Sequence, residues 1–128
     1  MYRIEIYDDK QGHSEIAELL EVLNNRAYTD KHSRVRLKKI TEYIEILKAY
    51  GLQVGSPIIK HITNTDLWEL RPTNDRIFFF YHSENTFVLL HHFEKRTRKT
   101  PQREIQKAQN KLIDYLERKE SEYGKKLG

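Results

Sequence analysis

Three short apolar runs between residues 67 and 93, each closed by a turn and the last followed by a basic cluster, restrict this chain to folds built around a small sheet. Leu67-Trp68-Glu69-Leu70-Arg71, Arg76 to Tyr81 and Phe87 to Phe93 are rich in β-branched and aromatic residues. Pro72-Thr73-Asn74-Asp75 and Ser83-Glu84-Asn85 lie between them, so the runs read as antiparallel strands joined by tight turns. The third run ends in Lys95-Arg96-Thr97-Arg98-Lys99, and Thr100-Pro101 then opens a helix. Several cations thus reach one edge of a rigid sheet. A phosphodiester-handling site needs that arrangement, because fixed cations bind a polyanion and stabilise a pentavalent phosphate.

The remaining segments supply helices. Residues 2 to 7 alternate in period two, with Ile4 and Ile6 on one side and Arg3, Glu5 and Tyr7 on the other, which predicts a half-exposed strand. Behind Ser14 as N-cap, Ile16, Leu19, Leu20 and Leu23 recur at helical spacing up to about Asn24-Asn25. Asp30 caps a second helix with the stripe Leu37, Ile40, Ile44 and Leu47, and Gly51 stands where a positive-φ residue ends it. Residues 58 to 62 fit a strand or an extended loop. With Thr100 as N-cap and Pro101 at the first helical position, the last helix carries Ile105, Ala108, Leu112, Ile113 and Leu116 on its apolar side. Beyond Arg118 the tail is polar and expected to fray. The order predicts an α+β fold over 1–128 as one domain, a mostly antiparallel sheet with an N-terminal helical hairpin and a C-terminal helix, helices on one side.

Charge narrows the function. The whole chain carries a formal +4, yet from His91 to Lys111 seven basic residues face only two acidic ones. A local field larger than the overall charge suits a nucleic-acid or acidic-partner face. Without cysteine there is no disulfide framework, thiolate metal site or cysteine nucleophile. No apolar run is long enough to span a bilayer, so the expected location is cytoplasmic, away from membranes.

Each candidate residue has two readings. The run 95–99 is a solvated loop or an anion-binding edge, and cations at a helix N-terminus oppose the macrodipole unless an anion is expected there. Arg71 and Arg76 flank the turn at 72–75 and either pair with Asp75 or Glu69 or share a phosphate with Lys95 and Arg96. Glu69 either orients an arginine or accepts a proton. His91 and His92 point to opposite faces and cannot chelate one ion, which leaves one of them for the core. Trp68 and the Phe78-Phe79-Phe80 run read as core, and Tyr81 or another exposed aromatic reads as a stacking surface for an unpaired base.

Trp68-Glu69-Leu70-Arg71, the Arg76-Ile77 pair before an aromatic run, and Phe93-Glu94-Lys95-Arg96-Thr97-Arg98-Lys99-Thr100-Pro101 together resemble the HigB or phage Gp49-like branch of the RelE/ParE toxin superfamily. The resemblance implies a RelE/ParE-like fold and a type II toxin-antitoxin toxin, a metal- and cofactor-independent endoribonuclease that cuts mRNA on the ribosome. It also implies a helix-turn-helix, HigA-like antitoxin as partner. Arg76 then corresponds to the strand arginine at the scissile phosphate and Arg96 to the transition-state arginine near the last helix, with Lys95, Arg71 and Glu69 beside them. Lys60, Arg98, Lys99 and Tyr81 fall to RNA binding. Where RelE has two catalytic lysines this chain has Leu67 and Glu69, and it has no counterpart near Gln102 to RelE's C-terminal tyrosine. Lys60, Lys95 and Lys99 are the substitutes for cationic stabilisation, with Glu69 or a histidine as base. On the same fold, a ParE-like gyrase inhibitor is the alternative, and a non-catalytic nucleic-acid-binding module is another.

Overall fold

A computed structural model describes residues 1–127, with side chains through residue 124. The elements are β1 (Arg3–Ile6), α1 (Glu15–Arg26), α2 (Lys31–Tyr50), a 3-10 turn (Gly51–Val54), β2 (Ile59–His61), β3 (Trp68–Leu70), β4 (Asp75–Tyr81), β5 (Thr86–Glu94) and α3 (Gln102–Leu127). The expected caps of α1 and α2 form. Ser14 accepts from the Ala17 amide, Asp30 accepts from the His32 amide, and Gly51 ends α2 at φ +63°. A Cβ on Gly51 would lie 2.5 Å from the Tyr2 ring, so both backbone and space require glycine there.

The five strands form one sheet in the order β1-β5-β4-β3-β2, parallel only at β1–β5. Residues 58–62 therefore do contribute a strand, β2 at the edge. The expectation of helices on one side does not hold. The α1–α2 hairpin packs on one face with Ile77, Phe79, Phe87 and Leu89, while α3 packs on the other with Phe78, Phe80, Val88 and Leu90. The reason lies in β4, where Ile77-Phe78-Phe79-Phe80 is apolar at consecutive positions and must be covered on both faces.

Three further corrections follow from the second helical layer. Tyr7 is buried and donates to Asp114 Oδ2 at 2.6 Å, so the outer side of β1 faces α3 rather than solvent. The buried side of α3 is Ile105, Ala108, Leu112 and Tyr115, whereas Ile113 and Leu116 are exposed. Tyr115 supplies the missing contact: its ring meets Phe80 and its hydroxyl donates to Glu5 at 3.0 Å. Lastly, α3 does not end near Arg118 but continues to Leu127, with Lys119 bridging Glu5 of β1 and Glu122. Residue 128 of the expected tail lies outside the described residues.

A bulge in β5 sets which side chains face the site. Phe78 pairs with His91 but Phe79 pairs with Leu89, so Leu90 is the extra residue. Leu90 and His91 consequently share the α3 side, and His92 returns to the α2 side.

Candidate functional site

Alternation along β3 sends Trp68 and Leu70 into the α1–α2 core and Glu69 to the other side, level with Lys60 on β2 and Phe78 on β4. Glu69 is 1% exposed, so its carboxylate needs partners. Its Oε1 lies 3.4 Å from Arg71 Nε and 3.5 Å from Arg76 Nε, and its Oε2 accepts from the Thr100 hydroxyl at 3.0 Å. Arg76 is held from behind: its Nη1 donates to the carbonyls of Thr73 at 2.6 Å and Asp75 at 2.9 Å. Both Nε atoms are buried and make no well-aligned hydrogen bond.

Lys95 joins this group because its amide donates to the Asn74 carbonyl at 2.7 Å, which extends the β4–β5 pairing by one residue. Burial lowers its ammonium pKa, and Arg76, Arg71 and Lys60 push the same way against Glu69. Burial likewise lowers Arg76, with Glu69 acting in the opposite direction. One carboxylate thus stands among four cations. Such a cluster carries an excess of positive charge in a half-dry setting, where an incoming anion is worth more than in water. A lysine whose charged form is disfavoured can also give or take a proton more readily.

The structure brings together five of the nine sequence candidates: Lys60, Glu69, Arg71, Arg76 and Lys95. Arg96, Arg98 and Lys99 are exposed on the loop that follows and form no ion pair among the described residues. Tyr81 lies five residues along β4 from Arg76, about 17 Å away at the far end of the strand, and packs edge-on against Phe87. Among the described residues no group of three His, Asp or Glu side chains is placed to hold a metal ion.

Several participants were not legible beforehand. Thr100 is not the helix cap, because its hydroxyl is spent on Glu69; the Pro101 carbonyl takes the first helical bonds, from Glu104 at 3.0 Å and Ile105 at 3.4 Å. Asp75 pairs with neither Arg71 nor Arg76. It accepts from Arg36 Nε at 3.1 Å and Nη2 at 2.7 Å, and its Oδ1 is 2.7 Å from His92 Nε2. Burial would raise its pKa, but the hydrogen bonds from His92 and Arg36 outweigh that and hold it below the usual range. On the opposite face the buried His91 sits between Glu104 Oε2 (3.3 Å) and Lys111 Nζ (2.8 Å), with Glu15 at 3.5 Å. Burial and then Lys111 push its pKa down, and Lys111 donating to Nδ1 leaves the proton of the neutral ring on Nε2. The sequence signal available was only that Arg36 is a cation on the inner border of an amphipathic helix.

Residues 27–112 match the protein family described as Phage derived protein Gp49-like. The matched span includes α2, all of β2 to β5 and every residue of the Glu69 cluster through Thr100. No curated protein matches the chain.

Proposed function

The chain belongs to the Gp49-like family of phage-derived proteins, within the RelE/HigB-like toxin group, and from that premise we propose that it is an endoribonuclease toxin that cuts mRNA on the ribosome. The observation that carries this reading is the pair of buried, unaligned Arg71 and Arg76 Nε groups around Glu69, beside a lysine with a depressed pKa.

In the proposed reaction the 2′-oxygen of one nucleotide bonds to the adjacent phosphorus while the bond to the 5′-oxygen of the next nucleotide breaks. A 2′,3′-cyclic phosphate and a free 5′-hydroxyl result. Arg76, fixed by two backbone carbonyls, and Arg71 meet the charge that grows on the non-bridging oxygens. Lys95, entering as the neutral amine, takes the proton from the 2′-hydroxyl and returns it to the departing 5′-oxygen. Glu69 orients both arginines, since each of its oxygens is already engaged. Arg96, exposed at the start of the loop after Lys95, serves as the further transition-state arginine, while Arg98 and Lys99 beyond it hold flanking phosphates of mRNA or ribosomal RNA. A site with so few acid and base groups draws on the ribosome to align its substrate. A helix-turn-helix antitoxin is the neutralising partner.

Expression should arrest growth, co-expression of the adjacent antitoxin should restore it, and RNA mapping should show cuts inside translated frames that vanish when initiation is blocked. Normal growth with verified soluble protein would contradict the toxin reading. Arrest with intact mRNA and trapped gyrase would transfer the assignment to a ParE-like inhibitor.

A further inference from the structure

The buried carboxylate among the cations is turned in a way that its charged neighbours alone do not favour. The last torsion of a glutamate side chain is soft, so a buried carboxylate rotates until its oxygens meet the best donors beside it. Arg71 and Arg76 both stand beside Glu69, yet only Oε1 approaches them, at 3.4 Å and 3.5 Å from the two Nε atoms, and neither contact is an aligned hydrogen bond. The opposite face of the sheet shows an unhindered pair, in which Asp75 meets Arg36 with both oxygens, at 3.1 Å and 2.7 Å. Something keeps Glu69 from closing in the same manner.

Thr100 supplies the restraint. Its hydroxyl donates to Glu69 Oε2 at 3.0 Å, the one hydrogen bond that this carboxylate accepts among the described residues. A neutral hydroxyl is a weaker donor than a guanidinium, so it holds the carboxylate by being fixed in place. The chain fixes it from both sides. Pro101 confines the backbone of Thr100 to extended conformations, and the Pro101 carbonyl takes the first bonds of α3, from Glu104 and Ile105. Glu104 Oε2 in turn lies 3.3 Å from His91 Nε2, which ties the first turn of α3 to β5. On the loop side, the Thr97 hydroxyl donates to the Lys99 carbonyl at 2.8 Å. Arg76 is not free to turn toward the carboxylate instead, because its Nη1 is held by the Thr73 and Asp75 carbonyls.

We propose that Thr100 is a positioning residue: by holding Glu69 Oε2 it prevents a closed, two-oxygen pair with Arg71 and Arg76 and leaves their N–H donors for a phosphate of the RNA. Without the hydroxyl, Oε2 is a buried acceptor with no partner, and the donors beside it are the two guanidinium groups. The cluster then closes on itself as Asp75 and Arg36 do, and an incoming anion has to break that pair before it can bind. The proposal deepens the nuclease reading and rests on it only for the identity of the anion.

Thr100→Val keeps the shape of the side chain without its proton and tests this. Binding of a 2′-O-methyl tetranucleotide, which has no free 2′-hydroxyl to attack, should weaken about tenfold, the scale of one hydrogen bond to a charged group. Cleavage should fall at least as far, while the denaturation midpoint holds or rises. In nitrogen–proton spectra the Arg71 and Arg76 Nε–H resonances should move downfield as they enter the new pair. Thr100→Ser returns the hydroxyl and should recover the wild-type spectrum, the affinity and most of the cleavage. Unchanged affinity in Thr100→Val overturns the proposal. So does a loss of affinity in step with stability while both resonances stay in place, which would make Thr100 a structural contact. If the valine variant does not fold, the wild type still decides: its two Nε–H resonances should lie at unbonded positions and move downfield when the tetranucleotide is added. Bonded positions in the free protein overturn the proposal. A wild type that binds and shifts in this way but cuts nothing supports the role of Thr100 and removes only the nuclease reading.

Discussion

Asp75 and Arg76 are neighbours in β4, face opposite sides of the sheet and sit in ionic clusters of opposite character. On the α2 side, Asp75 receives two well-aligned bonds from Arg36 and a third contact from His92, and the pairing is closed. On the α3 side, Arg76 and Arg71 converge on a single oxygen of Glu69, and each leaves a buried Nε without an aligned acceptor. A closed pair serves stability, because breaking it strands a charge in a dry setting. An open one carries unsatisfied donors, and such donors in a native structure call for an explanation, here an anion that arrives from outside. On the proposed reading, two adjacent residues thus divide the work of holding the fold and meeting a substrate.

The sharpest way to break this division is Asp75→Ala. It should cost about 3 kcal/mol of unfolding free energy by chemical denaturation, since it leaves Arg36 and His92 without their shared acceptor. Cleavage per folded molecule should stay near wild type, because the backbone carbonyl that holds Arg76 survives. A stable Asp75→Ala protein that has lost activity would invert the assignment.

Arg76→Ala should show the opposite profile. Cleavage should fall by on the order of a hundredfold, the scale of one lost transition-state donor, while the denaturation midpoint falls less than in Asp75→Ala, because Glu69 keeps Arg71 and Thr100 as partners. Parallel losses of activity and stability would make Arg76 structural and erase the contrast with Asp75.

The His91 cluster adds a pH test. Its folded-state pKa lies below the ordinary 6.5, so between those values the unfolded chain binds more protons than the folded one. The stability it contributes is therefore fully present above about pH 6.5 and is lost as pH falls toward the depressed value, at a slope of up to about 1.4 kcal/mol per pH unit. His91→Gln should flatten that part of the stability curve. Asp75, with a lowered pKa, keeps its contribution over the same window and loses it only below the usual carboxylate range.

The smallest expected effect concerns the exposed loop. Neutralising Arg98 and Lys99 to Gln should weaken ribosome binding and reduce its log-log salt slope by roughly 1.4, at about 0.7 per phosphate contact on a single strand. Cleavage at saturating ribosomes should survive. Unchanged binding with lost cleavage would place both residues in the reaction rather than at its rim.

Local structure was legible because its causes are local. Ser14, Asp30 and Gly51 mark helix ends through contacts within a few residues, and the aromatic runs at 76–81 and 87–93 announce strands wherever they are placed. The cations at 71, 76 and 95 were likewise recognisable as a group, since turns and strand lengths alone set them at one end of a hairpin. What the sequence left undecided depends on which strangers meet. Thr100 reaches Glu69 across 31 residues and Arg36 reaches Asp75 across 39, and neither spacing has a period that can be read along the chain. The burial of β1's outer side and of Tyr115 follows from α3 crossing the second face, and the placement of His91 and His92 follows from one extra residue at Leu90. Side chains that find partners through strand order, a bulge and the packing of a second layer are assigned only when the sheet closes, because the energy that selects them is shared among residues that have no local reason to be near one another.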